Sequence, residues 1–114
     1  MVLASIEEGF GLVCTEAMGS GCVPLVSEAC TDTCKHMENA LVHRVGDVKA
    51  LTEHITMIHE DRALLERLRT SSLNAAPTLT WTAAGRRLLQ AYQEVIDAAR
   101  AGNHEAKGCG TTIR

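Results

Sequence analysis

Two acidic side chains, Glu8 and Glu16, flank a short segment that contains Gly9 and Gly11. An apolar run precedes this segment, and a pattern typical of a helix follows it. Backbone N–H groups in the first turn of a helix have no partner within the helix, and the helix dipole adds partial positive charge there. Glycine lets a ligand approach the backbone closely. The pattern therefore predicts an anion-binding turn with a carboxylate on either side.

A diphosphate is the ligand that this turn would suit, held by the amides of Gly11, Leu12 and Val13. Glu16 would lie in the second turn of the helix, where its carboxylate can accept hydrogen bonds from sugar hydroxyls. Glu8 lies in the turn itself and can do the same on the other side of the phosphates. The alternative is that both glutamates are ordinary solvent-exposed acids.

The elements that must position these residues follow the order of a parallel α/β fold. Residues 1–5 form an apolar run that predicts a buried parallel strand. A turn over residues 7–11 leads into a helix expected to end near Gly19 and Gly21. Residues 22–27 predict the second strand. Ser27, at its carboxyl end, lies where ligands bind in open α/β sheets, but a minor contact with substrate is not the favoured interpretation.

The second half of the chain predicts one more strand and three helices. Residues 27–39 fit either a short helix or a loop, and residues 39–44 predict the third strand. Asp47 and Asp61 are good N-caps for two helices. The apolar spacing of the first of these helices predicts a buried side formed by Val48, Leu51, Ile55 and Ile58, and Met18 and Met57 are both expected in the core.

The last part of the chain is expected to contain a break, a helix and a tail. Residues 71–80 include Pro77 and predict the break, after which Thr80 can cap the final helix. Residues 101–114 lack periodicity and predict a frayed tail, so the domain is expected to span residues 1–100. One face of the final helix is predicted to carry Ala84, Leu88, Ala91 and Val95.

Composition narrows the class of function. Of the 114 residues, 46% are hydrophobic and 22% charged, which is typical of one small globular domain. A formal net charge of −3 and one residue each of Phe, Trp and Tyr disfavour nucleic acid as a partner. No apolar run reaches the roughly 20 residues of a membrane span. Five cysteines without a secretion signal predict reduced thiols in a cytoplasmic protein.

A metal site is the competing interpretation of one segment, because Cys30, Cys34 and His36 are potential zinc ligands. No fourth ligand follows at a familiar spacing, so free or partly buried thiols are the preferred interpretation. Four of the five histidines are scattered between residues 36 and 59. All four of His36, His43, His54 and His59 are interpreted as structural or exposed.

The segment EGFGLVCTEAM (residues 8–18), followed by GSGCVPLVS (residues 19–27), resembles the glutamate–seven–glutamate motif of retaining nucleotide-sugar glycosyltransferases of family 4, the group 1 glycosyltransferases. Residues 39–44 resemble the family's Asn-Gly-Leu-Leu-Val strand, with Ala40 in place of glycine. If position 40 requires a positive φ, alanine costs about 1 kcal/mol there.

The resemblance implies a fold and an activity. The fold would be a partial Rossmann-like parallel sheet of about three strands with flanking helices, the second half of the C-terminal domain of a GT-B enzyme. The activity would be transfer of a hexosyl group from a nucleotide-diphosphate sugar with retention of configuration, without a cofactor or metal. The residues implied in donor binding are Glu8, Gly9, Phe10, Gly11, Leu12, Val13 and Glu16, with Glu8 as the catalytic residue.

The resemblance covers only the closing portion of a family member, approximately residues 1–96. The chain is therefore expected to need an N-terminal Rossmann domain or another chain for activity, and its first strand is expected to offer an edge for self-association. A non-catalytic nucleotide-binding module and a partner-binding fragment are the alternatives. The expected location is the cytoplasm, or the periphery of the inner membrane face.

Overall fold

In the computed structural model of the chain, the backbone of residues 1–107 and the side chains of residues 1–101 are described. Three strands and four α-helices alternate through this part of the chain. In order they are β1 (Val2–Leu3), α1 (Leu12–Gly19), β2 (Leu25–Ser27), β3 (Leu41–His43), α2 (Val48–Glu60), α3 (Arg62–Ala75), a 3-10 turn (Ala76–Leu79) and α4 (Trp81–Lys107). Each strand is shorter than the segment predicted for it.

The three strands form one parallel sheet in the order β1-β2-β3. Val2 lies opposite Leu25, and Leu25 lies opposite Leu41, so the three strands are in register at this level. Successive side chains of a strand point to opposite faces of the sheet. Helices pack on both faces at β2, which is fully buried. Val2 of β1 is 51% exposed because β1 lies at the edge of the sheet, so the prediction of a buried strand over residues 1–5 is wrong in part. The predicted α/β fold class and parallel sheet are confirmed.

The core is divided between the two faces of the sheet. On one face, Cys14 and Met18 of α1 pack against Val26 of β2, and Met18 is fully buried as predicted. On the other face, Leu64 and Leu68 of α3 pack against the sheet, together with partly buried residues of α2. Burying a leucine side chain stabilises a fold by about 2 kcal/mol. Helix α1 is therefore held to the sheet by its inward residues while its amino end stays at the surface.

The starts of α2 and α3 are capped as predicted. The carboxylate of Asp47 accepts a hydrogen bond from the amide of Ala50 at 2.9 Å. The carboxylate of Asp61 accepts one from the amide of Leu64 at 2.8 Å. Each bond satisfies an amide that the helix itself leaves without a partner.

The predicted buried side of α2 is wrong in part. Val48 and Ile55 are 74% and 47% exposed, and Met57 is also exposed, at 37%. The inward side carries Leu51 and Ile58, which pack against the core, and His54 between them. These positions follow a helical spacing of three and four residues. The histidine hid this face from the sequence pattern because it breaks the apolar series.

The predicted break over residues 71–80 begins later in the structure, because α3 continues to Ala75. The buried hydroxyl of Ser72 donates a hydrogen bond to the carbonyl of Asn39 at 2.6 Å. This bond holds the last turn of α3 against the loop before β3. The 3-10 turn that follows contains Pro77, which lacks the amide needed to continue an α-helix.

The chain divides into two compact units, residues 1–79 and a second unit from Thr80 onward. The predicted domain, residues 1–100, spans this division. The described part of the second unit is α4, whose start is capped by Thr80 as predicted, with the amide of Ala83 donating to its hydroxyl at 3.1 Å. Helix α4 includes residues 101–107 of the predicted tail. Residues 108–114 lie outside the described residues.

None of the helices within the described residues has the length and apolar character required to cross a membrane.

Candidate functional site

The site predicted from the sequence is the turn that leads from β1 into α1. Gly11 precedes the helix with φ 68° and ψ 46°, a left-handed conformation, and no side chain caps the helix there. The amide of Cys14 donates to the carbonyl of Gly11 at 2.8 Å, which closes the first turn. In the part of the chain that the structure describes, no hydrogen bond uses the amides of Leu12 and Val13. The start of α1 can therefore donate to an anion.

Gly11 is required both by its conformation and by its surroundings. A Cβ atom at this position would lie 2.9 Å from the carbonyl oxygen of Cys30 and 3.3 Å from the Cβ of Thr31. The loop that follows β2 thus lies directly against the turn. Because the nearest atom belongs to the backbone, a side chain at position 11 would have to displace this loop. The loop and the turn together form the wall of the site.

Glu8 lies in the turn and is exposed. Its carboxylate accepts a hydrogen bond from the amide of Gly9 at 3.1 Å and a long one from the hydroxyl of Ser5 at 3.5 Å. These contacts hold the carboxylate close to its own backbone. A carboxylate has about four acceptor sites, so Glu8 retains capacity for a ligand hydroxyl.

Glu16 lies in the second turn of α1 and is also exposed. Among the described residues, no side chain or amide forms a hydrogen bond or ion pair with its carboxylate; its backbone carbonyl accepts from Ser20. The carboxylate is therefore available to accept hydrogen bonds from a ligand. The two acids thus differ, since one is tied to the turn and the other is uncommitted.

The other residues predicted to contact the donor lie on the same surface. Phe10, Leu12 and Val13 are 58%, 50% and 43% exposed. Gly9 is exposed as well, whereas Gly11 is buried beneath the loop. The segment that contains these residues follows the carboxyl end of β1, the edge of a parallel sheet at which ligands bind.

Ser27 contacts the residues that lead into this segment. It is 1% exposed, and its hydroxyl donates to the carbonyl of Ser5 at 2.6 Å. A hydroxyl so placed ties the end of β2 to the start of the turn. This burial argues against a contact between Ser27 and the substrate. Ser27 instead holds the residues that follow β1 against the end of β2.

Three buried cysteines lie beneath the site: Cys14, Cys30 and Cys34. Burial raises the pKa of the Cys14 thiol to about 12, and burial also raises the pKa of Cys34. The thiol of Cys30 donates to the carbonyl of Leu3 at 3.1 Å. Since only a thiolate is a good nucleophile or metal ligand, Cys14 and Cys34 serve packing at neutral pH.

The zinc interpretation of Cys30, Cys34 and His36 gains no support from the geometry. The two cysteines belong to the core, whereas His36 is exposed in the loop and its Nδ1 accepts from the amide of Val42 at 3.0 Å. Within the described residues, no group of three potential metal ligands is placed to hold an ion.

One feature was not predicted from the sequence, namely a cluster of histidines beside β3. His43 and His54 are only 6% and 7% exposed, although both were interpreted as scattered residues. A signal was present for His54, which lies three residues after Leu51 and four before Ile58 and so belongs to the inward side of α2.

The fold defines the chain as part of a Rossmann-like domain in which the first helix begins without a side-chain cap. Residues 1–74 match the family model of the group 1 glycosyl transferases, and the chain belongs to that family. A search of curated proteins found no match.

Two solved structures share the fold. The C-terminal domain of a group 1 glycosyl transferase from Francisella tularensis is 25% identical with a TM-score of 0.64, over 68% of this chain and 40% of that one. Sucrose-phosphate synthase from Thermosynechococcus elongatus is 29% identical with a TM-score of 0.73, over 85% of this chain and 25% of that one. The chain therefore spans less than half the length of either structure, and both neighbours confirm the C-terminal GT-B fold.

Proposed function

We propose that this chain is the donor-binding part of a retaining glycosyltransferase of family 4, and that its ligand is a nucleotide-diphosphate sugar. The observation that carries the proposal is the start of α1, which has no side-chain cap and lies between two exposed glutamates. Membership of the group 1 glycosyl transferases supports it. The similarity of the chain to part of a sucrose-phosphate synthase is consistent with transfer of a hexosyl group.

In this proposal the diphosphate lies on the amides of Leu12 and Val13. Their partial positive charge would stabilise the negative charge that develops on the leaving diphosphate when the bond to the sugar breaks. Phe10 and Gly11 contribute the backbone over which the sugar lies. No cofactor and no metal is part of the proposal, because the fixed dipoles of the turn supply the stabilisation of charge.

The two glutamates have separate roles. Glu16, whose carboxylate is uncommitted, accepts hydrogen bonds from the ribose hydroxyls. Glu8, which is fixed to the turn by the amide of Gly9, accepts from hydroxyls of the transferred sugar. A carboxylate held in this way can orient the sugar for attack by the acceptor, which makes Glu8 the proposed catalytic residue.

The acceptor site belongs to another part of the enzyme. The chain spans 40% and 25% of the two solved structures it resembles. An N-terminal Rossmann domain or a second chain is therefore the proposed partner, and it would also supply cations for the diphosphate. The chain alone is expected to bind the donor without transferring the sugar. Self-association through the edge of β1 and a cytoplasmic or peripheral inner-membrane location remain predictions.

Calorimetric titration of the chain with nucleoside diphosphates and with the corresponding nucleotide sugars tests the site. We expect Glu16→Gln to weaken binding of both kinds of ligand by about ten- to a hundredfold, since a hydrogen bond to a charged group contributes about 1.5–3 kcal/mol. Glu60→Gln, a change of an exposed acid at the end of α2, serves as the control and should bind normally. Unchanged affinity of Glu16→Gln would contradict the proposed ribose contact.

A second pair of variants separates the two glutamates. Glu8→Gln should weaken binding of the nucleotide sugar while leaving the nucleoside diphosphate almost unaffected, because Glu8 contacts only the sugar. Glu7→Gln is the matched control one residue away, also exposed. An equal loss of both ligands in Glu8→Gln would place Glu8 near the phosphates or the nucleoside instead. No binding of any nucleotide by the folded native chain would favour a partner-binding fragment.

A further inference from the structure

Three histidines from three different elements meet on one side of β3. His36 lies in the loop before the strand, His43 is its last residue, and His54 lies in the middle of α2. The ring centroids of His36 and His54 are 5.4 Å apart, and those of His43 and His54 are 5.9 Å apart. We refer to these three residues as the histidine cluster. The cluster thus joins α2 to the sheet and to the loop.

The hydrogen bonds of the cluster fit neutral rings. Nδ1 of His36 accepts from the amide of Val42 at 3.0 Å, so this nitrogen carries no proton. Protonation of His36 would direct two N–H groups at each other. The Nδ1 atoms of His43 and His54 are buried and have no hydrogen-bond partner among the described residues. A charged ring at either position would therefore hold a buried N–H group without an acceptor, which is costly.

Burial and the neighbouring rings also oppose protonation of His54. Burial lowers the pKa of His54, and the neighbouring His36 and His43 lower it further. The carboxylates of Glu53 and Asp47 act in the opposite direction on this pKa, with smaller effects. Asp47 is already engaged with the amide of Ala50, and Glu53 lies 3.8 Å from Lys49. Among the described residues, neither carboxylate forms a hydrogen bond with a ring of the cluster.

We propose that the histidine cluster is an acid-sensitive contact that holds α2 against β3 when its rings are neutral and releases it when they take up protons. The release requires no ligand, and the proposal is independent of the proposed donor site. The unfolded chain has no such contact, so its histidines bind protons freely. Acid therefore favours the open state because the open state can accept protons that the packed cluster excludes.

The direction of the pH dependence follows from the lowered pKa of His54. Above its ordinary value of 6.5, both folded and unfolded states hold the ring neutral, and stability does not depend on this group. As the pH falls below that value, the unfolded state binds the proton first. Stability is then lost until the pH reaches the lower pKa of the folded state, below which the loss is complete.

Urea unfolding of the native chain between pH 8 and pH 5 tests the proposal. Each proton taken up on unfolding raises the unfolding equilibrium constant about tenfold per pH unit. We expect His54→Leu to remove up to one such proton, so that its unfolding constant rises by up to about tenfold less than that of the native chain between pH 7.5 and 5.5. His59→Leu, a change of an exposed histidine on the same helix, should keep the native profile.

Ring titration by NMR on the native chain keeps the test valid if His54→Leu does not fold. The ring of His54 should titrate below the ordinary histidine pKa of 6.5. Parallel unfolding profiles for the native chain and His54→Leu would overturn the proposal. A His54 ring that titrates at or above pH 6.5 would overturn it as well.

Discussion

The helices of the sheet unit begin in two different ways. Helices α2 and α3 are each preceded by an aspartate whose carboxylate accepts from an amide of the first turn, at 2.9 Å for Asp47 and 2.8 Å for Asp61. Helix α1 is preceded by Gly11, which offers no side chain, and it carries no acid in its first turn. An anionic cap satisfies the amides and the dipole within the chain, whereas α1 leaves both available.

This difference separates two helix starts that are satisfied within the chain from one that is not, and the proposed function assigns the uncapped start to donor binding. A cap contributes about 1 kcal/mol to stability, and its omission at α1 is a local cost. The cost is offset by the inward side of the same helix, where Cys14 and Met18 are fully buried. The helix thus remains fixed while its first amides stay unused. An external diphosphate would supply there the negative charge that Asp47 and Asp61 supply elsewhere.

The largest expected effect comes from breaking the turn of α1. Gly11→Ala would place a Cβ atom 2.9 Å from the carbonyl oxygen of Cys30 in a backbone conformation with φ 68°. The left-handed conformation costs about 1–2 kcal/mol for alanine, and overpacking adds about 1–3 kcal/mol. We therefore expect a loss of about 3 kcal/mol in the free energy of unfolding, measured in urea, together with loss of nucleotide binding.

The matched control is the other glycine of the motif. A Cβ atom on Gly9 would meet no atom within 4 Å, and the φ of this residue is not positive. Gly9→Ala should therefore change the free energy of unfolding by less than about 0.5 kcal/mol. Equal destabilisation by the two changes would show that the loop after β2 does not confine Gly11.

Local chemistry explains what the sequence predicted well. The caps Asp47 and Asp61 could be predicted because a cap is decided by residues within one turn of each other. The glycine turn and its two glutamates could be found because their spacing is contiguous. The α/β fold class followed from the succession of apolar runs and helical patterns along the chain.

Contacts between distant residues explain what the sequence could not show. The bond from Ser72 to Asn39, which extends α3, joins residues more than thirty positions apart. The three rings of the histidine cluster come from three different elements, so the contacts of His54 could not be predicted from its sequence neighbours. A positive φ was considered for Ala40 on the basis of the resemblance, but among the described residues other than glycine it occurs at Met37. Distances between remote residues and backbone dihedral angles of this kind cannot be predicted from the local amino-acid composition.

Removing a cap should have an intermediate effect and sharpens the contrast between the two kinds of helix start. Asp61→Ala deletes the acceptor for the amide of Leu64, so we expect a loss of about 1 kcal/mol in the free energy of unfolding. Asp61→Asn keeps an acceptor without the charge and should lose less. Asp32→Ala, a change of an exposed loop acid, is the control. If Asp61→Ala proved as stable as this control, the cap would contribute nothing, and the comparison with α1 would lose its energetic basis.

The smallest expected effect concerns Met37, the residue other than glycine that has a positive φ among the described residues. Met37 has φ 60°, yet unlike Gly11 it carries a side chain, which is 37% exposed. Its backbone is fixed because its amide donates to the carbonyl of Ala40 at 2.9 Å and its carbonyl accepts from Arg67 at 3.0 Å. Glycine would relieve about 1–2 kcal/mol of left-handed strain but cost about 0.5–1 kcal/mol in chain entropy. Met37→Gly should therefore stabilise the fold by about 0.5 kcal/mol in urea unfolding, whereas Met37→Ala, which keeps the strain, should not. A destabilised Met37→Gly would mean that the methionine side chain contributes more through packing than its backbone conformation costs.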